Sequence, residues 1–241
     1  MQVSEYASLG FATSSATKLV DAAIASGRVR GLQRVPGFDL IGAYTDPSGA
    51  RLGLVRRRGH DVVVTPALVS AQATRASVRR LNDHLAHASV LLDDDAVELI
   101  VSVDDPTQYP LAETGQFALI SALTLGAICV RADVYRDEEH FLASRPDDDR
   151  PWSSRTLVSP SVAAVGLLGE QELTARALVG FTVERAEPRT TELSGLEFWY
   201  GVGRSVVPLA FALPAGLDVV PGNVVLGTFT LSASSGLWER A

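Results

Sequence analysis

The chain has 241 residues, 46% of them hydrophobic, so it can bury enough surface to fold without disulfides or metal ions. Its net charge of −7 excludes a strongly basic protein, and no apolar run approaches the roughly 20 residues that a membrane helix needs. The chain contains one cysteine, Cys129, so no disulfide can form within it. The first ten residues do not resemble a signal peptide. We therefore expect a soluble, cytoplasmic protein.

The first predicted elements are a helix and a hairpin. The helix lies between possible capping residues at 13–15 and a stop at Gly27. Strands over 39–45 and 50–55 flank a turn at 46–49, which has Pro and Gly where a tight turn needs them. One face of the helix is apolar at helical spacing and is formed by Leu19, Val20, Ala23 and Ile24.

The stretch 71–92 is ambiguous between a helix and strands. Apolar residues recur there at helical spacing without a Gly or Pro, and this local pattern favours a helix. They are Val78, Leu81, Leu85, Ala88 and Leu92.

Alternating patterns predict strands over 97–103 and 128–134, and the acids at 137–139 suit a short helix. The weakly polar run 117–130 is too short to cross a membrane and predicts buried strands. The polar segment 144–154 contains two prolines and suits a linker. We therefore expect an N-terminal α+β domain over 1–146, with antiparallel strands, and a C-terminal domain over 155–241, or both packed as one unit.

The C-terminal part is almost purely β in pattern. Short strands with turns every 8 to 12 residues predict a small antiparallel barrel, OB-like, or a sandwich. The fold class is thus mostly β with a few short helices. The expected inward set is Ala175, Ala177, Val179, Phe181, Phe198, Tyr200, Leu209, Phe211, Phe229 and Leu231.

Several features together resemble an uncharacterised family of bacterial, mainly actinobacterial, proteins. They are the turn at 46–49, Tyr109-Pro110-Leu111, and the sequence Pro221-Gly222-Asn223-Val224-Val225 that leads into Gly227 and 228–231. The resemblance spans most of the chain and implies β structure for 76–83, against the helical interpretation. It implies no activity.

Charge is unevenly distributed. Seven arginines lie between Arg51 and Arg80 against one acid, Asp61, whereas 81–113 contains eight acids and no Lys or Arg. The simpler interpretation is that opposite charges face one another at the surface, and the alternative is an anion-binding face. The candidate interaction surface comprises Trp199, exposed by alternation, and Arg56, Arg57, Arg58, Arg79 and Arg80.

Motifs that would carry catalysis or metal binding are weak. Ser15 and Lys18 form an S-x-x-K, but its partner motifs are missing. His84 and His87 would share a helix face without further ligands at suitable spacing, and the Asp runs 93–95 and 147–149 lack the Gly and Glu of a calcium loop. We predict no catalytic, cofactor-binding or metal-binding residue.

Three function classes stay open. The first is a non-catalytic protein-binding or scaffold module whose partner is another protein or a second copy of the chain. The first alternative is an enzyme with a scattered site. The second is a nucleic-acid or polyanion binder that uses an OB-like barrel or the arginines between 51 and 80. We expect no nucleic-acid partner, because the residues from 151 to 241 carry more acids than arginines.

Overall fold

The computed structural model describes residues 4–12, 15–144, 153–167 and 172–240. The described chain is mostly β with a few short helices, as the sequence predicts. Its elements through the first half are α1 (Glu5–Ser8), α2 (Ala16–Ala25), β1 (Val29–Gly31), β2 (Phe38–Thr45), β3 (Ala50–Arg57), β4 (Val63–Leu68), β5 (Ala73–Arg80), β6 (Leu85–Leu91) and β7 (Ala96–Val103). They continue with β8 (Ala118–Tyr135), α3 (Glu138–Ala143), β9 (Leu157–Val158), β10 (Arg176–Thr190), β11 (Glu197–Arg204), β12 (Pro208–Pro214), β13 (Val224–Ser234) and α4 (Leu237–Arg240). Short 3₁₀ turns lie at Pro106–Gln108, Ala112–Thr114 and Pro160–Ala164.

Two sheets build the molecule. The smaller is an antiparallel meander of β1, β2, β3 and β4, and it contains the predicted hairpin, whose turn residue Gly49 has a φ of +89°. The larger has nine strands in the order β11-β12-β8-β5-β6-β7-β13-β10-β9, with further pairings of β10 to β11 and β8 to β13. β4 lies against β7, β8, β12 and β13, so the small sheet stacks on the large one.

The large sheet consists of two units with the same pattern of pairing. β5, β6, β7 and β8 form a meander in which β8 returns to pair with β5, and β10, β11, β12 and β13 repeat this arrangement. The units join where β8 and β13 run antiparallel, and each third strand pairs in parallel with the last strand of the other unit. The pattern is two-fold symmetric about the pair Gly126–Ser232, because Gly126 also pairs with Ala210 of β12 and Ser232 also pairs with Ser102 of β7.

This arrangement bears on the predicted C-terminal barrel. β12 and β13 both pair with β8, so the C-terminal strands complete a ring of pairings only together with a strand from the first half. A closed OB-like barrel made by residues 155–241 alone is therefore not confirmed. Strands from both predicted domains share one sheet and one large core cluster.

Every residue of the expected inward set is at most 5% exposed, but Phe198 and Tyr200 lie in the cluster between the two sheets, whereas the others except Ala175 lie in the main core cluster. Phe181 lies at its centre, with ring centroids 4.8 Å from Phe211 and 5.7 Å from Phe229. Cys129 is 1% exposed, and burial raises its pKa to about 12, which fits a core residue. In α2, Leu19, Val20 and Ala23 are buried as predicted, but Ile24 is 54% exposed.

The helix favoured over 71–92 is wrong, because these residues form the hairpin of β5 and β6. Val78 and Ala88 face each other in its ladder and are both buried. A turn joins the strands, and in it Asn82 Oδ1 accepts hydrogen bonds from the backbone N–H groups of His84 and Leu85 at 3.0 and 2.8 Å. Two alternating strands separated by four residues imitate helical spacing, and the strand implied by the resemblance is present through Arg80.

Candidate functional site

The two arginine segments meet at one carboxylate. Arg57 Nε donates to Asp83 Oδ2 at 2.5 Å, and Arg80 Nη1 lies 3.9 Å from Asp83 Oδ1. Arg58 lies 3.8 Å from Asp39, so acids of the chain itself face these guanidinium groups. Burial lowers the pKa of Arg80, although the charge of Asp83 opposes this. The structure therefore places internal counter-ions where an anion-binding face would need free cations.

The other candidate residues lie apart from that carboxylate. The Arg79 guanidinium lies over the ring of Phe117, 4.7 Å from its centroid, and Arg56 is exposed beside a groove under α2. Trp199 lies on β11 between Pro188 and Leu213 and is half-buried against the main core cluster, whereas alternation predicted it exposed. Of the candidate residues, Arg57 and Arg80 thus meet at Asp83, whereas Arg79 and Trp199 contact Phe117 and the main core cluster.

The residues of the weak catalytic and metal motifs lie in three different parts of the fold: α2, the hairpin of β5 and β6, and the turn between β6 and β7. Ser15 occupies the N-cap position of α2 and Lys18 is exposed on its first turn. His84 lies in the turn before β6, whereas His87 lies within β6 and its Nε2 is 2.6 Å from Glu98 Oε2. Asp93, Asp94 and Asp95 are exposed in the turn between β6 and β7. Asp147–Asp149, the capping candidates at 13–14 and most of the expected linker lie outside the described residues.

A buried ionic cluster follows β7, and sequence reasoning did not identify it as a unit. Arg51 of the small sheet donates from Nη1 to Asp104 Oδ2 at 2.7 Å, and their side chains are 3% and 0% exposed. Arg51 Nε donates to Thr45 Oγ1 at 2.9 Å, and Nη2 donates to Glu239 of α4. The expectation that opposite charges face one another at the surface does not hold for this pair, because Arg51 and Asp104 join the two sheets in the interior.

The neighbouring Asp105 holds the end of the chain. Its Oδ2 accepts from the backbone N–H and the hydroxyl of Ser235, at 2.8 and 2.5 Å. Trp238 is 2% exposed and donates from Nε1 to the carbonyl of Asp104 at 3.0 Å. Burial, followed by the charge of Asp104, raises the pKa of Asp105 to about 7. The cluster thus fixes residues 235–240, the C-terminal segment, against the junction of the sheets.

This cluster does not have the exposure that catalysis requires. A cleft of about 640 Å³ lies beside it, and Arg51 and Glu239 contribute to its wall. Asp104 and Asp105, however, are both 0% exposed, so a substrate in the cleft would not reach either carboxylate. Buried charges that are paired and hydrogen-bonded in this way, here through Oδ2 of Asp104 and Oδ2 of Asp105, are typical of a structural network. Among the described residues, no group of three or more His, Cys, Asp and Glu is arranged to hold a metal ion.

The surface feature that bears most on function is residues 117–123, which we name the β8 edge and which comprise Phe117 and the first part of β8. On one side it pairs with β5 from Ala118 to Thr124. On the other side β13 pairs with β8 only from Thr124 onward, and no other described strand pairs with the β8 edge there. Its outward backbone groups are therefore free to pair with another strand.

The side chains of the β8 edge are apolar and exposed. Leu119 is 65% and Phe117 is 47% exposed, and the sequence contains no charged residue from Gln116 to Val130. A β-bulge sets Ser121 and Ala122 against one residue of β5, so the regular part ends at Ile120. The expectation that 117–130 is buried is thus correct from Leu123 to Val130 and wrong for most of the preceding residues.

The buried ionic cluster explains why this edge is open. If β13 continued beyond Ser234 in its register, residues 235–240 would lie beside the β8 edge. Instead Ser235 is held by Asp105, Gly236 turns with a φ of +77°, and Trp238 is buried beside Asp104. The charge-free run was the one sequence signal for the β8 edge, because only the pairing pattern shows which side of a strand lacks a neighbour.

Comparison with protein-family models, curated proteins and solved structures gives no match to this chain. The resemblance to an uncharacterised bacterial family therefore stays an expectation. Within the described ranges, no helix is long and apolar enough to cross a membrane. A proposal about function must therefore rest on the structure of the chain itself, in particular on the β8 edge.

Proposed function

We propose that the protein is a non-catalytic protein-binding or scaffold module that binds an extended segment of its partner along the β8 edge. The observation that carries the proposal is an unpaired strand edge with two exposed large apolar side chains and no charge. Strand addition of this kind takes its affinity from main-chain hydrogen bonds and its selectivity from alternate side chains. The exposed Phe117 and Leu119 supply the apolar contacts.

The two other function classes have weaker support. An enzyme would need reactive groups that a substrate can touch, and the strongly perturbed carboxylates, Asp104 and Asp105, are 0% exposed. A nucleic-acid or polyanion binder would need free guanidinium groups, whereas Arg57 and Arg80 share Asp83 and Arg58 faces Asp39. We therefore favour protein binding over both alternatives.

The test is strand addition with a probe of defined chemistry. We would add a synthetic peptide of alternating Thr and Val flanked by lysines and follow amide hydrogen exchange. The proposal expects slower exchange over 117–123 when the peptide is present, because new main-chain bonds protect the free amides. The variant Leu119→Lys should lose this protection, since a charge is placed on the apolar contact.

The matched control is Leu142→Lys, because Leu142 on α3 is 59% exposed and thus comparable with Leu119. It should keep the protection. The measurement is made at a protein concentration at which the chain is monomeric by sedimentation velocity, so that no second copy protects the same amides. Unchanged exchange over 117–123 at a saturating peptide concentration, or equal loss in both variants, would then overturn strand addition at the β8 edge.

A further inference from the structure

We infer that the strand that occupies the β8 edge is the β8 edge of a second copy of this chain, aligned antiparallel and centred on Leu119. The inference rests on the proposed function and names its partner. The product would be a symmetric dimer in which the same residues are contributed by both copies.

The orientation follows from the symmetry of the pairing pattern. In the second unit, the first half of β13 pairs with β10 on one side and with the end of β8 on the other, both antiparallel. In the first unit, the corresponding part of β8 pairs with β5 on one side and has no described strand on the other. An antiparallel strand at the β8 edge would give the first unit the neighbour that the second unit already has.

The chain cannot easily supply that neighbour from its own C-terminal segment. Ser235 is bonded twice to buried Asp105, and Trp238 is buried with its indole N–H bonded to Asp104. Glu239 pairs with Arg51 in addition. Moving the C-terminal segment onto β8 would leave these buried charged groups without their partners, which is strongly unfavourable.

A second copy fits the edge because the edge is complementary to itself. Antiparallel pairing brings each row of N–H and C=O groups opposite an identical row, and a two-fold contact of this kind closes without forming a fibre. No charge lies between Gln116 and Val130, so two copies meet without repulsion within the edge. Leu119 would face Leu119 of the second copy, and Phe117 would lie opposite Ser121.

The charges beside the edge lie at the ends of this alignment and not at its centre. The Arg79 guanidinium lies 4.7 Å from the ring centroid of Phe117, and Arg75 of β5 lies opposite the bulge residues Ser121 and Ala122. Antiparallel alignment places the two Phe117 residues, and with them the two Arg79 residues, at opposite ends of the shared ladder. The centre of the contact remains apolar, as in the core of a stable interface.

The first experiment is sedimentation velocity over a range of concentrations. The unmodified protein should reach the dimer mass, Leu119→Lys should stay a monomer with an unchanged melting temperature, and Leu142→Lys should still form the dimer. A monomer at all concentrations up to about 100 μM, an affinity range of weak specific complexes, would overturn the inference. A dimer that persists in Leu119→Lys would do the same, because the contact would then lie elsewhere.

The second experiment does not depend on a charged variant. Cys129 is 1% exposed, so a cysteine introduced at the surface would be the reactive thiol. Directly opposed residues of an antiparallel pair have Cα atoms about 4.5–5.5 Å apart, within the range that a disulfide spans. Leu119→Cys should oxidise to a covalent dimer and Leu142→Cys should not. No covalent dimer from Leu119→Cys would overturn the alignment.

These outcomes separate the inference from the proposed function. If the protein is monomeric but the Thr-Val peptide still protects 117–123 from exchange, strand addition holds and the second copy is excluded. If neither the peptide nor a second copy slows amide exchange over 117–123, the β8 edge is not a site of strand addition and both proposals are wrong.

Discussion

Two unpaired strand edges of the large sheet differ in how they are protected. Residues 184–190, the β10 edge, also continue past a neighbour: β13 pairs with β10 only as far as Thr182, and a β-bulge follows. The β10 edge contains Glu184, Arg185, Glu187, Arg189 and Pro188, whereas the β8 edge contains neither charge nor proline. Charges and proline are how proteins prevent an edge from pairing with another chain.

The difference agrees with the proposal that the β8 edge pairs with another chain, because such an edge would carry neither charge nor proline. Both edges belong to long strands of one sheet, and each has one side on which no described strand pairs with it. On the β10 edge, Arg189 also donates to Glu187 and to the carbonyl of Ser48, which holds polar groups over it. Charge and proline on one edge and their absence on the other should have measurable consequences for stability and association.

The largest effect is expected from Arg51→Met, which removes the cation that holds the C-terminal segment away from the β8 edge. Asp104 would remain buried without its partner, and loss of one member of a buried pair costs about 3–5 kcal/mol. Urea unfolding would measure the change in the free energy of unfolding. The control is Arg58→Met, whose side chain is 78% exposed and should change stability by less than about 1 kcal/mol. Equal effects would contradict the structural role of the cluster.

The second effect is a dependence of stability on pH. Burial raises the pKa of Asp105 from 3.8 to about 7, so the folded protein holds a proton that the unfolded chain releases. The free energy of unfolding should therefore fall as the pH rises from about 4 to about 7, by at most about 1.4 kcal/mol per pH unit, and then level off. Asp105→Asn should flatten this part of the profile, as followed by urea unfolding at several pH values.

The control for this measurement is Asp95→Asn, because Asp95 is exposed in the turn before β7. Its pH profile should be parallel to that of the unmodified protein. If the Asp105→Asn profile is parallel as well, the proton is not held at Asp105, and this carboxylate does not restrain the C-terminal segment in the way described.

The third experiment removes the protection of the β10 edge. In a Leu119→Lys background, the changes Arg185→Thr, Glu187→Thr and Pro188→Thr should create a new, weak, concentration-dependent association, because the edge becomes an uncharged strand. Stability should change by only about 1 kcal/mol, as is usual for partly exposed sites. Sedimentation velocity checks the association. A variant that stays monomeric would show that charge and proline do not determine which edge is free to pair.

The smallest effect is expected at the arginine segments. Arg57→Gln removes an ion pair whose side chains are 47% and 20% exposed, and should change stability by less than about 1 kcal/mol. Neither the unmodified protein nor this variant should bind DNA or RNA tightly at physiological salt, since internal acids already face these arginines. Fluorescence anisotropy with labelled oligonucleotides checks this. Nanomolar, steeply salt-dependent binding would favour the polyanion class instead.

Local patterns in the sequence determined much of the fold. Alternation in the C-terminal strands identified the buried set around Phe181, because a strand sends successive side chains to opposite faces. The Pro-Gly turn at 46–49 identified the first hairpin. Helical spacing failed for 71–92, where a turn anchored by Asn82 connects two strands. Periodicity does not reveal such a turn, because its stabilising bonds join a side chain to the backbone.

The features on which the proposed function depends come from contacts between parts of the chain that are distant in sequence. Composition showed a charge-free run in β8, but which side of the strand lacks a neighbour depends on where β13 leaves the sheet. That departure is set by Asp105 and Ser235, which are 130 residues apart in the chain. The sequence shows which residues are apolar and which segments alternate as strands do. Contacts between distant residues determined which of them are buried and which stay exposed, because burial depends on the neighbours that the whole fold supplies.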